Sequence, residues 1–127
     1  MTIFTEGRHS TEGLLSEANF HRSRDNIVIA AGAGLIVAGM VLGKVTASGK
    51  YVPSANAEIT GEEGAEVGAA IALYNCDATS ADQKVAAITR DAEWNGNTLS
   101  FDSTVNDAGK KATKVAQLAA KGIIARY

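Results

Sequence analysis

Residues 27 to 42 read IVIAAGAGLIVAGMVL, sixteen positions without a charge, interrupted by Gly32, Gly34 and Gly39. A run this apolar has to be hidden, and how it is hidden decides the fold. As a membrane helix it would reach roughly 24 Å against a hydrocarbon core of about 30 Å, and each glycine would weaken it further. As β structure it parses well. Ile27-Val28-Ile29 is a β-branched strand, Gly32-Ala33-Gly34 a turn, and Met40 to Thr46 a second strand after Gly39. The glycines do not make a nucleotide-binding fingerprint, because Gly34 is followed by Gly39 rather than by a glycine three residues on, and no helical pattern opens after it.

At 127 residues the chain holds one core, since two would leave each half too small to bury enough surface. The hydrophobic fraction is 46%, but alanine supplies much of it, so the large-residue core is thin. Thirteen glycines alongside a thin core point to stability drawn partly from oligomerisation. The formal charge of −2 carries no basic surplus of the kind nucleic-acid binding needs. Glu58, Glu62, Glu63 and Glu66 form an acidic stretch, read as a solvated loop, and Lys110, Lys111, Lys114 and Lys121 are read as a solvated helix face. Cys76 is the only cysteine, which excludes an intrachain disulfide; intermolecular pairing is open but unforced, and the residue is read as a small buried hydrophobe. The opening MTIFTEGRHSTEG lacks the basic and apolar regions of a secretory signal, so the product is expected to stay inside the cell that makes it.

Beyond the apolar run, Ser48-Gly49 reads as a turn into Lys50-Tyr51-Val52, which Pro53 ends, giving a hairpin. Residues 54 to 66 read as an exposed loop, Val67 to Tyr74 as a buried strand, and Asp77 to Asp82 as a turn. Lys84 to Ile88 reads as a strand, Trp94-Asn95-Gly96-Asn97 as a turn and Thr98 to Phe101 as a short strand. One helix follows. Asn106 or Asp107 caps it, Ala112, Val115, Ala116 and Ala119 fall on one face as its buried side, and Gly122 stops it. GIIARY then closes the chain as a strand.

Residues 1 to 26 are polar and glycine-punctuated, yet the part up to residue 22 carries Ile3, Phe4, Leu14, Leu15 and Phe20. A disordered tail avoids large apolar residues, so these five mark an extended arm that orders on a partner. The bland reading folds Leu14, Leu15 and Phe20 back onto their own domain. Catalytic chemistry is not in evidence. His9 and His21 both lie in the arm, away from a scaffold that could hold a base in register, and no nucleophile, Walker or metal-ligand motif is present. Adjacent Glu62 and Glu63 diverge as surface carboxylates. Tyr51 and Trp94 are candidates to plug the ends of a small barrel.

Several blocks recur in a known order: Gly39-Met40-Val41-Leu42-Gly43, Lys44-Val45-Thr46, Gly49-Lys50-Tyr51, Gly68-Ala69-Ala70-Ile71, Cys76-Asp77-Ala78-Thr79, Ala87-Ile88-Thr89-Arg90 and Leu118-Ala119-Ala120-Lys121-Gly122-Ile123. Together they resemble the phage lambda-type head decoration protein family over roughly residues 12 to 127. That resemblance implies a mainly β fold, a small β-tulip or β-clip-like barrel in residues 23 to 127 with one short C-terminal helix and the N-terminal arm extended from it. It implies a homotrimer that binds the major capsid protein on the outside of the expanded head, at three-fold and quasi-three-fold sites, and holds it against internal DNA pressure.

The arm, through Ile3, Phe4, Leu14, Leu15 and Phe20, would be the capsid-gripping segment, pairing by strand addition. Leu35, Ile36 and Val37 are assigned to a trimer or capsid interface, because they are too apolar for a solvent-facing turn. No catalytic residue, cofactor, metal, nucleic acid or membrane is expected; the place of action is the virion surface, after assembly in the host cytoplasm. The alternative is a virion-surface adhesin that recognises a glycan or host protein. A small barrel enzyme is a further rival, and it needs a pocket where carboxylates and Ser or Thr converge.

Overall fold

The computed structural model describes residues 2–127. Ten strands and one α-helix follow in chain order: β1 (Leu14–Glu17), β2 (Arg24–Ile29), β3 (Gly34–Ile36), β4 (Val41–Lys44), β5 (Tyr51–Pro53), β6 (Gly68–Ala72), β7 (Cys76–Ala78), β8 (Gln83–Ile88), β9 (Ala92–Asn95), α1 (Ala108–Ala119) and β10 (Ile123–Arg126). Five of them close a barrel in the order β2-β5-β4-β6-β8. All its pairings are antiparallel except β2 with β5. A separate sheet runs β1-β9-β10, with β1 at one edge, and β3 and β7 form a two-stranded antiparallel ribbon. Among the described residues no helix is long and apolar enough to cross a membrane.

The uncharged run is solved as strands. Ile27 and Ile29 alternate into the barrel, where Ile36, Leu42, Ala70, Ala72, Ala78 and Ala87 join them. Five strands enclose little volume, so alanines opposite a few large side chains fill it. That is where part of the alanine-rich composition goes. On the outer wall, Val41, Ile71 and Ile88 from the same strands meet Trp94, Leu118 and Ile123 in a second cluster beneath α1 and the three-stranded sheet. Strands β4 and β6, and the Ala87–Ile88 end of β8, are therefore buried on both faces, which makes their apolar runs continuous rather than alternating.

Glycine at 43 is compulsory for packing, since a Cβ there would lie 1.9 Å from the Ala65 carbonyl oxygen of the loop crossing β4.

Several local expectations change. Residues Gly34–Ile36 are a strand rather than the end of a turn, and Cys76–Ala78, of which Asp77 and Ala78 were expected in a turn, pairs with it. Trp94 is not a turn residue or a barrel plug: it is fully buried in β9, held by its Nε1 donating to Thr98 Oγ1 at 3.0 Å. Thr98 to Phe101 is a 3-10 turn ending at Thr98 plus a lone bridge from Ser100 to Met40. The loop 54 to 66 is exposed only in its middle; Ser54, Ala55 and Ala65 are buried. Cys76 is half-buried.

The helix is the largest correction. Asp107 caps it by accepting from the Lys110 amide at 2.8 Å, and Gly122 follows its end with φ +77°, both as expected. Its buried face is another one. Ala112, Ala116 and Ala119 are exposed, while Leu118 and Lys114 are buried, with Val115 and Gln117 beside them. The Lys114 ammonium is only 2% exposed and donates to Ser54 Oγ at 2.9 Å, to the Ala55 carbonyl at 2.6 Å and to the Glu66 carbonyl. A lysine reads as solvated in a sequence because the loop carbonyls that solvate it here lie about 50 residues away along the chain.

Candidate interaction surface

The arm divides into a free part and an anchored part. Residues 2 to 9 have no regular structure, and Ile3 and Phe4 are 80% and 90% exposed. Anchoring begins at Arg8, whose carbonyl accepts from Asn75 Nδ2 at 2.9 Å, and at Thr11, whose amide donates to the Leu73 carbonyl at 2.8 Å. Gly13 then passes so close to Trp94 that a Cβ would lie 2.3 Å from the indole nitrogen. Residues Leu14–Glu17 pair with β9 as an edge strand, one flank of which carries no strand partner among the described residues. Leu14 packs on the outer-wall cluster, as the bland reading had it, whereas Leu15 stays mostly exposed.

Phe20 occupies the turn between β1 and β2. It is 93% exposed and has φ +60°, a left-handed conformation that a bulky side chain enters only at a cost. The surrounding bonds over-determine it. The fully buried Ser23 hydroxyl accepts from the Ala18 amide at 2.9 Å and donates to the Asp91 carbonyl at 2.6 Å. Arg24 clasps Glu17 through two nitrogens at 2.7 and 2.8 Å, and this bonding holds the Glu17 carboxyl below its ordinary value. The phenyl ring is thus displayed in water on a rigid turn.

The assigned interface residues separate. Leu35, opposite Asp77 in the ribbon, is 70% exposed. Ile36 is 1% exposed, inside the barrel, and offers nothing to a partner. Val37 lines a cleft with Glu6, Arg8, His9 and Glu12, so the base of the arm and the end of β3 form one surface. Phe20 and Leu35 were legible as exposed apolar residues; Ile36 was not distinguishable from its neighbours without knowing the pleat.

One barrel end brings a carboxylate and threonines together, which is the convergence an enzyme reading asks for. Asp25 accepts from Thr89 Oγ1 at 2.8 Å and from the Arg90 guanidinium. Bonding to Arg90, then to Thr89, holds the Asp25 carboxyl below its ordinary value, so it is a poor base for activating a hydroxyl. Among the described residues no group of three or more His, Cys, Asp or Glu side chains is placed to hold a metal ion.

A small rigid β-barrel, with an irregular arm and exposed apolar side chains at its edge strand, defines a structural binding module. The sequence matches the family model of the bacteriophage lambda head decoration protein D over residues 3–123, nearly the whole chain. The chain belongs to that family, and its role is in decorating the virion capsid. A comparison with curated proteins finds no match.

Proposed function

We propose that the chain is a cement protein that binds as trimers to the outer surface of the expanded head, at three-fold and quasi-three-fold positions. There it contacts the major capsid protein and stabilises the shell against packaged DNA. The observation that carries this reading is the placement of Ile3 and Phe4, both almost wholly exposed on an irregular segment that leads into the edge strand β1. A segment of that kind can add as a strand to a neighbouring sheet, gaining backbone hydrogen bonds that demand little of its sequence. Leu15, Phe20 and Leu35 supply further apolar contact. Leu14 and Ile36 drop out of the contact set because they already pack inside the monomer.

The adhesin reading asks for an exposed cluster of aromatic and carboxylate side chains, with the carboxylates free to bind a ligand. At the barrel end the acid that shares a cavity with Tyr51 is Asp25, and Arg90 already pairs with it. Decoration is preferred for that reason.

Deletion of residues 2 to 7 removes Ile3 and Phe4 while sparing the Arg8 and Thr11 anchors, Gly13 and β1. The shortened chain is expected to keep its unfolding midpoint and to lose binding to expanded heads in a sedimentation assay. Undiminished binding would remove the arm from the mechanism. Sedimentation of the purified protein and of head-bound protein tests the trimer separately.

A further inference from the structure

One end of the barrel is a half-open cavity of about 600 Å³. Every strand of the barrel contributes to its wall or runs straight into it: Asp25 from β2, Lys44 from β4, Tyr51 from β5, Ala69 from β6 and Arg90 two residues beyond β8, with Lys121 arriving from the end of α1. Three cations here face one carboxylate. Arg90 and Thr89 hydrogen-bond that carboxylate, and Lys44 acts on it only as the weakest of its charge neighbours, without a direct ion pair. Neither Lys44 nor Lys121 has an ion-pair partner among the described residues. Of the nearby acids outside the lining, Glu63 turns its carboxylate back onto the Gly61 amide at 3.0 Å, and Glu66 accepts from the amide of the lining residue Gly64 at 2.8 Å.

We propose that this barrel mouth is a binding site for an oxyanion of the phosphate class, free or carried on a small phosphomonoester. A chain of net charge −2 that gathers two unpaired ammonium groups around one concavity concentrates anions there, because the protein walls limit the screening that open solvent would provide. Tyr51 and Thr46 line the same cavity, and among the described residues neither side-chain hydroxyl has a hydrogen-bond partner, so both can donate to a bound oxygen. A doubly charged anion satisfies both lysines at once, which chloride cannot do. The volume exceeds what a bare ion fills, leaving room for an ester group against the Tyr51 ring. The site is independent of the decoration reading and is tested without capsids.

The test is a titration of isotope-labelled full-length protein with inorganic phosphate, with ionic strength held constant by sodium chloride, read by amide chemical shifts. Saturable shifts centred on residues 44, 51, 89 to 90 and 121 are expected. The Lys44→Met/Lys121→Met double variant, altered at two exposed side chains, should keep its thermal midpoint and bind at least tenfold more weakly. A Lys84→Met/Lys111→Met control removes the same charge elsewhere and should bind within twofold of the parent. Glycerol phosphate in a parallel titration distinguishes the sources: tighter binding than inorganic phosphate assigns the ester, equal or weaker binding the free ion. Shifts that fail to saturate, shifts that chloride alone reproduces, or a folded Lys44→Met/Lys121→Met variant with unchanged affinity would each overturn the proposal.

Discussion

Lys114→Met and Lys114→Ala separate the two things this side chain does, which are to fill space with its stem and to bind loop oxygens with its ammonium. Methionine keeps most of the stem and loses the head. Either change strips the donor from the Ala55 and Glu66 carbonyls, whereas Ser54 Oγ still donates to the Ala65 carbonyl at 2.8 Å and stays satisfied. Two orphaned carbonyls cost about 1 to 3 kcal/mol each. Removing a buried ammonium that has no ion-pair partner within 4 Å among the described residues returns part of that, because its desolvation penalty disappears. The net loss for Lys114→Met is therefore small, about 1 kcal/mol. Lys114→Ala also empties the space of three methylenes at roughly 0.8 kcal/mol each, for a total near 3 kcal/mol. The difference between the two variants, about 2 kcal/mol, is the firmest quantity because the carbonyl and charge contributions are common to both.

Urea unfolding followed by Trp94 fluorescence measures it, since the single tryptophan is fully buried and reports the core that α1 covers. Equal stability of the two variants, or a Lys114→Met protein more stable than the parent at every pH, would refute the account. The pH dependence has a defined sign. Burial, the largest influence, lowers the Lys114 pKa from its ordinary 10.5, while Glu66 and Asp102 oppose the shift. Between the lowered folded value and 10.5 the native state has released its proton and the unfolded chain has not, so stability rises with pH across that window. The parent should gain on Lys114→Met as the pH climbs through it.

Phe20→Asn should stabilise the isolated protein by about 0.5 to 1 kcal/mol, because asparagine tolerates the left-handed backbone and almost no buried phenyl area is lost; thermal melts measure this, and a lower midpoint would show that the ring supports the turn. On the proposed reading the same variant binds expanded heads more weakly, so stability and function move in opposite directions. Acid unfolding offers another check. Glu17 and Asp25 are both held below their ordinary values, by Arg24 and by Arg90, so the stability they give is present above the unfolded carboxylate range and is lost as pH falls through their folded values. Asp25→Asn should flatten the acid limb of the stability profile, and an unchanged limb would remove the Arg90 pair from the account.

Legibility in the sequence followed the length and locality of each signal. Strand β2, the β4–β5 hairpin, β6, β8, the Asp107 cap, the Gly122 stop and β10 all announce themselves within a few residues. Strands β3, β7 and β9 are three or four residues long and contain Gly34, Asp77 and Asn95, which read as turn chemistry; they exist because distant partners complete them. Trp94 lies opposite Leu14 across 80 positions of chain, and no local pattern encodes that pairing. The helix face was misread for a related reason. Alanine periodicity marked a stripe of small residues, but a loop carrying two free carbonyls made the neighbouring lysine the better side chain to bury. The exposed apolar residues of the arm were visible from composition alone, while the division between Leu14 inside and Leu15 outside needed the strand.

That division bears on why three arms would be needed. On the proposed reading the free segment offers Ile3 and Phe4, whose full burial is worth about 1.5 to 3 kcal/mol each, or roughly 3 to 6 kcal/mol together. Ordering the six residues ahead of Arg8 costs about 1 to 2 kcal/mol apiece in backbone entropy, which exceeds that gain. Strand pairing adds about 0.5 to 1.5 kcal/mol per hydrogen bond and brings a single arm close to break-even. One arm alone therefore does not hold. Rigid display changes the outcome: Phe20 and Leu35 sit on structure that is already ordered, so their contacts carry little further entropic cost, and once one arm is seated the others bind at high local concentration. Binding becomes a property of spacing, strong where the lattice presents several sites at the distance the trimer spans and negligible where it does not.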